Sequence, residues 1–142
     1  MKNIASSEGR CLALLHRQLM KQLERELGPL KLGSGRYLYL LALYIQDGRR
    51  QQEFADGLAL DKAAVTRSLA RLEQDGYIRR AADELDRRAS RVYLTDKGRA
   101  LSDILLRAVE TSTDAITAPL TSQERETFRV LLEKRVMPYI DG

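Results

Sequence analysis

Leucines recur at Leu12, Leu15, Leu19, Leu23 and Leu27, a three-and-four spacing that predicts one long helix over about 4–27. Gly28-Pro29 ends it. A second helix, opened by a cap at Ser34 and running to about Gln46, carries Leu38, Leu40, Leu41, Leu43 and Ile45 around most of its surface, so its expected place is the middle of the core. Asp47-Gly48 is a turn, and a short helix over about 51–58 should turn Phe54 and Leu58 inward. Ala59-Leu60 then leads directly into a further helix. From Asp61 to Gly76 the apolar positions narrow to Val65, Leu69 and Leu72, with Asp61 as N-cap and Gly76 closing the C-terminal end. Two short helices so close in sequence make a helix-turn-helix.

The period then changes. Tyr77 to Arg80 and Arg91 to Leu94 are short β-branched or aromatic segments around the polar stretch AADELDRRAS, which predicts a β-hairpin with a charged tip. Thr95 should cap a helix containing Leu101, Ile104, Leu105, Ala108 and Val109 and ending at Pro119. Thr121 and Glu124 form a capping box for a last helix that carries Phe128, Leu131 and Leu132 and ends near Pro138. Three striped helices are more apolar surface than one small domain covers. The expectation is a homodimer joined through 4–27 and 100–140, with Leu12, Leu15, Leu19, Leu105, Phe128, Leu131 and Leu132 as dimerisation residues.

Composition narrows the chemistry. A chain of 142 residues is expected to form one domain, and a net charge of +4, from 24 basic against 20 acidic residues, favours a polyanionic partner only weakly. Cys11 and His16 are the single cysteine and histidine, which excludes an intrachain disulfide and makes no case for a metal or other cofactor. Five helical positions separate the two by roughly 140°, so they point apart, and an enzyme is not expected. The longest apolar run, Tyr37 to Ile45, is short of the roughly 18 residues of a membrane helix, and the N-terminus has no secretory core, so the expected location is the cytoplasm.

Helix 61–75 holds the distinctive surface. Opposite its apolar stripe stand Ala63, Arg67, Ala70 and Gln74, flanked by Thr66 and Arg71. Small side chains let a helix sink into a groove, and the arginine fork suits guanine or phosphate. From Lys62 to Arg91 there are eight basic and five acidic residues, and seven of the eight are arginine, the residue suited to narrow grooves and bidentate phosphate contact.

The segment Asp86-Arg87-Arg88-Ala89-Ser90-Arg91-Val92-Tyr93-Leu94-Thr95-Asp96-Lys97-Gly98 resembles the wing signature of the MarR family of bacterial transcription regulators. Val65-Thr66-Arg67, Leu72-Glu73 and Gly76-Tyr77-Ile78 are similar to that family's recognition helix and first wing strand, and Gln51 to Ala55 to its third-helix opening. The likeness runs in order from about Gly33 to Gly98. Phe54, where leucine is commoner, and the extra charge of Arg87 are its departures. It implies a mainly α fold with a small antiparallel β-wing: one winged helix-turn-helix domain over 1–142, with the lobe at 33–98 and long terminal dimerisation helices. It also implies a regulator, a repressor by expectation, that binds double-stranded DNA at a pseudopalindrome. Lys62, Ala63, Thr66 and Arg67 would lie nearest the bases, Arg88 would reach the minor groove or its phosphates, and Asp86 would hold Arg88 or its neighbours in place. Gln52, Arg71, Arg87 and Arg91 complete the expected DNA-binding set.

Release by a small aromatic or anionic effector is the expected regulation, with His16, Arg17, Arg36, Tyr37 and Tyr44 as its candidate site. A redox-sensing regulator using Cys11 and a winged-helix protein-interaction module without DNA affinity stand as alternatives. A lone cysteine is more often a small apolar packing residue.

Overall fold

Ser7 opens the first helix by accepting the Arg10 backbone N–H, and α1 then spans Glu8–Leu27. The computed structural model describes residues 7–33, 35–58 and 60–140, with side chains as far as residue 136. The expected start of the first helix before Ser7, the Ser34 cap and Ala59 lie outside the described residues. A single 3-10 turn, Gly28–Leu30, ends α1 as Gly28-Pro29 predicts.

Helix α2 spans Tyr37–Ile45 and buries Tyr37, Tyr39, Leu40 and Leu43. Leu38 and Ile45 do not join them, and Ile45 is 77% exposed. A helix apolar all round cannot bury every side, and here the two tyrosines take core positions, Tyr39 with its ring 5.4 Å from that of Phe54. Next come β1, Arg49–Arg50, and α3, Gln51–Gly57, which buries Phe54. Helix α4 spans Lys62–Gln74 with Asp61 accepting the Ala64 N–H at 2.7 Å, and it buries the predicted Val65, Leu69 and Leu72. Gly76, at φ +82°, makes the left-handed exit that favours glycine.

The wing strands β2, Ile78–Ala82, and β3, Ser90–Leu94, pair antiparallel with Ile78 opposite Leu94 and Ala82 opposite Ser90. β1 adds to the other edge of β3, giving the order β1-β3-β2. That strand is not predicted by the pattern, because two consecutive arginines carry no alternation. Thr95 accepts the Gly98 N–H and donates to the Gly76 carbonyl, tying the exit of α4 to the next helix.

The predicted single helix after Thr95 is two, α5 Asp96–Ala100 and α6 Ser102–Thr117, with the break at Leu101. The Thr121–Glu124 capping box forms in both directions, at 3.0 and 3.2 Å. Helix α7 spans Ser122–Ile140 and so ends close to Pro138, as expected.

The core joins α1's last turn to the lobe: Leu23, Leu27 and Leu32 share one cluster with Leu40, Leu43, Phe54, Leu69, Leu72, Ile78, Val92 and Leu105. α6 lies along α1. Beyond that packing the terminal helices leave Leu12, Leu14, Ile104, Leu106, Val130, Leu131 and Leu132 exposed. Leu105, expected at the dimer surface, is instead fully buried within one chain, because α6 turns that face into the shared core. No helix among the described residues is long and apolar enough to cross a membrane.

Candidate nucleic-acid interface

The inner face of α4 fixes what its outer face presents. With Val65, Leu69 and Leu72 buried, Lys62, Ala63, Thr66, Arg67, Ala70 and Arg71 are all exposed on the far side. Thr66 is held in one orientation. Its hydroxyl donates to the Lys62 carbonyl at 2.9 Å and accepts the Gln51 amide at 3.1 Å. The same Gln51 accepts the Ser90 hydroxyl at 3.3 Å, so one side chain joins α3, α4 and the wing. Gln52, the glutamine expected in the site, donates to Asp56 one turn along its own helix.

The wing tip is a built loop. Asp83 donates its N–H to the Ala89 carbonyl, Ala89 donates to the Asp86 carbonyl, and the Arg88 N–H reaches the Asp86 carboxylate at 3.0 Å. Asp86 therefore positions Arg88 through its backbone and leaves the guanidinium to project. Between the tip and α4 runs a groove of about 480 Å³. Gln52, Lys62, Thr66, Asp86 and Arg88 of the expected set line it, together with Arg50, Gln51 and Ser90. Arg67 stands on the exposed face of α4 outside that lining, and Arg87 lines a shallower depression on the other side of the tip with Arg80.

Charge divides the basic residues into two groups. Arg80 pairs with Glu73 at 3.0 Å, and that hydrogen bond holds the Glu73 carboxyl below its usual range. Arg79 lies over the Tyr93 ring, and Arg71 is 3.8 Å from Asp75. Arg91, expected to contact DNA, is turned to Asp83 at 3.0 Å and to the Gly48 carbonyl at 2.7 Å. Among the described residues Lys62, Arg67, Arg87 and Arg88 have no carboxylate within ion-pair distance, and all four are exposed. Cations left unpaired on a helix face and an adjoining loop are the electrostatic footprint of a phosphate-binding surface.

Asp83 was not singled out by the sequence. It is 1% exposed and its carboxylate accepts from Arg50, Arg91 and the Leu85 N–H. The Leu85 bond foremost, then the two arginines, hold its carboxyl below the usual range against the opposing effect of burial. Nothing in the spacing marks it out from Glu84 or Asp86. Only the strand register, which sets Arg50 opposite Arg91, creates the need for an acid there.

The candidate effector residues do not converge. His16 lines a groove of about 720 Å³ between α1, α6 and α7, beside Leu12, Leu15, Leu19, Phe128 and Leu132. Tyr37 is buried, Arg36 donates to the Lys31 carbonyl, and Arg17 is exposed on α1. Tyr44 donates to the Gly98 carbonyl at 2.7 Å beside a separate cleft with Asp47 and Arg99. Cys11 is exposed on α1.

Comparison with known proteins agrees with this geometry. A family model described as MarR family matches residues 32–89. YybA of Bacillus subtilis (strain 168), an uncharacterised HTH-type transcriptional regulator, is 32% identical over 109 residues, covering 77% of this chain and 73% of that protein. A crystal structure of MarR superposes with a TM-score of 0.87 at 27% identity, covering 99% of this chain and 95% of the other. A mutant MarR from E. coli complexed with operator DNA superposes with a TM-score of 0.80 at 26% identity, over 90% of this chain and 92% of that one.

Proposed function

This chain belongs to the MarR family of transcriptional regulators, and we propose that it acts as a cytoplasmic repressor that binds a pseudopalindromic duplex site as a homodimer. The observation that carries this reading is the set of unpaired cations on two neighbouring elements: Lys62 and Arg88 line the groove between α4 and the wing, while Arg67 stands on the exposed face of α4 and Arg87 at the wing tip. α4 enters the major groove, where Arg67 offers two donors to a guanine edge and Ala63 leaves room for the groove floor. The wing arginines contact phosphates or the narrower minor groove. The operator complex of the mutant E. coli MarR supports this docking by likeness of fold.

The exposed leucines on α1 and α7 support the dimer, since an uncovered apolar face of this extent is costly in water. Two copies would set their α4 helices about one DNA turn, roughly 10 base pairs, apart. Effector release rests on the groove beside His16, whose size suits a small aromatic acid. The test is selection from random duplexes. Enrichment of an inverted repeat is the expected result, and its absence removes sequence-specific regulation as the function.

A further inference from the structure

Arg50 and Arg91 are directly opposite on paired strands, a placement that is destabilising for like charges. Asp83 resolves it. One carboxylate oxygen takes the Leu85 N–H at 2.9 Å, and the other takes both guanidinium Nε–H groups, at 2.8 Å from Arg50 and 3.0 Å from Arg91. The two arginines are not held equally. Arg91 has a second anchor on the Gly48 carbonyl, whereas among the described residues the Arg50 guanidinium has only Asp83. Arg50 is also the one that lines the groove between α4 and the wing.

We infer that Asp83 is a specificity-determining residue of DNA binding, which acts by withholding the Arg50 guanidinium from the phosphates that would border this groove. The inference rests on the DNA-binding reading above. Non-specific binding is almost wholly phosphate neutralisation, so each additional cation in the groove strengthens every register alike. A site-specific complex is fixed in position by its base contacts and gains less from a cation that cannot choose its phosphate. A buried acid that pairs with Arg50 and pins its partly exposed guanidinium therefore widens the gap between the correct site and all others. Asp83 touches no DNA in this role and acts through Arg50.

Asp83→Asn separates the two roles of the carboxylate. The amide oxygen still accepts the Leu85 N–H, but the NH2 group then faces two donors, so the less anchored Arg50 is released into the groove. The experiment measures affinity against salt concentration on a non-specific duplex and on the site selected by the wild type. For Asp83→Asn the non-specific log-log slope should steepen by about 0.9, the value for one added phosphate contact. The preference for the selected site should fall about tenfold, on the scale of one lost discriminating contact. Asp83→Asn combined with Arg50→Gln should return both quantities to wild type. An unchanged slope in a folded Asp83→Asn protein overturns the inference. Should that variant not fold, Arg50→Gln alone decides: a slope equal to wild type sustains the withheld charge, and a slope shallower by about 0.9 shows that Arg50 already binds phosphate and overturns it. Failure of the wild type to select any site would instead defeat the DNA-binding reading itself.

Discussion

The side-chain amide of Gln51 donates to the Thr66 hydroxyl at 3.1 Å, so the first residue of α3 determines what the outward face of α4 can accept. The Thr66 proton is already given to the Lys62 carbonyl. A hydroxyl has one donor and two acceptor sites, which leaves Thr66 one lone pair and no proton for a base.

Thr66 should therefore read a base edge that donates, the N6 amine of adenine or the N4 amine of cytosine. Thr66→Val is expected to lower discrimination at one position of each half-site about fivefold, the worth of a single hydrogen bond of about 1 kcal/mol. Site selection with the variant checks this. Equal selectivity at every position would place Thr66 outside the readout.

Arg67 and Arg88 should fail differently. Arg67→Ala is expected to relax preference at a guanine by about 1–3 kcal/mol. Arg88→Ala should weaken all duplexes alike and make the salt slope shallower by about 0.9. Binding titrations across salt concentrations and single-base operator variants distinguish the two. Identical profiles would mean that α4 and the wing do not divide the work.

Two glycines predict opposite effects on stability. A Cβ at Gly98 would stand 2.2 Å from the Tyr77 carbonyl oxygen, a rigid backbone atom, so Gly98→Ala should cost about 1–3 kcal/mol. A Cβ at Gly9, inside α1, meets nothing within 4 Å, and Gly9→Ala should stabilise by about 0.5 kcal/mol through helix propensity. Denaturant melts of both variants test the pair, and a Gly98→Ala protein as stable as wild type would show that the Tyr77 turn can shift.

Tyr44 should mark the alkaline limit of the fold. Burial first, and the nearby Tyr77 second, push its phenol up to about 12, and its proton is given to the Gly98 carbonyl. A folded pKa above the unfolded value near 10 means that the folded chain binds the proton more tightly. The stabilisation is thus complete below pH 10 and is lost as pH rises toward about 12. Tyr44→Phe should flatten that part of the stability profile, and tyrosinate absorbance should report one fewer late-titrating phenol. An unchanged profile would assign the alkaline loss to other groups.

Leu12 and Leu131 are 56% and 60% exposed, so replacing either with glutamate should cost little within one chain. At a dimer interface the same change buries a charge. Leu131→Glu is expected to sediment as a folded monomer and to bind half-sites weakly. A variant that stays dimeric would move the interface off α7.

What the sequence determined by itself lies in signals that act within one or two helical turns. Asp61 capping α4, Thr95 capping α5, the reciprocal Thr121 and Glu124 bonds and the Val65-Leu69-Leu72 stripe each depend on neighbours three or four residues away. Those spacings orient Arg67 outward, and the wing residues that carry the family resemblance are contiguous. The tertiary structure decided whatever depends on residues distant in sequence. Strand β1 exists because β3 offers it an edge, not because Arg49-Arg50 has a strand pattern. Asp83 is buried because Arg50, 33 positions earlier, is brought opposite Arg91. Gln51, beside Gln52 in the groove lining, ties three elements together because Ser90 and Thr66 arrive on either side of it from two other elements. Leu105 and Leu131 are both apolar helix positions, but α6 turns the first into the shared core while α7 leaves the second exposed. Helix periodicity says which residues share a face; which face another element covers is fixed only when distant segments pack.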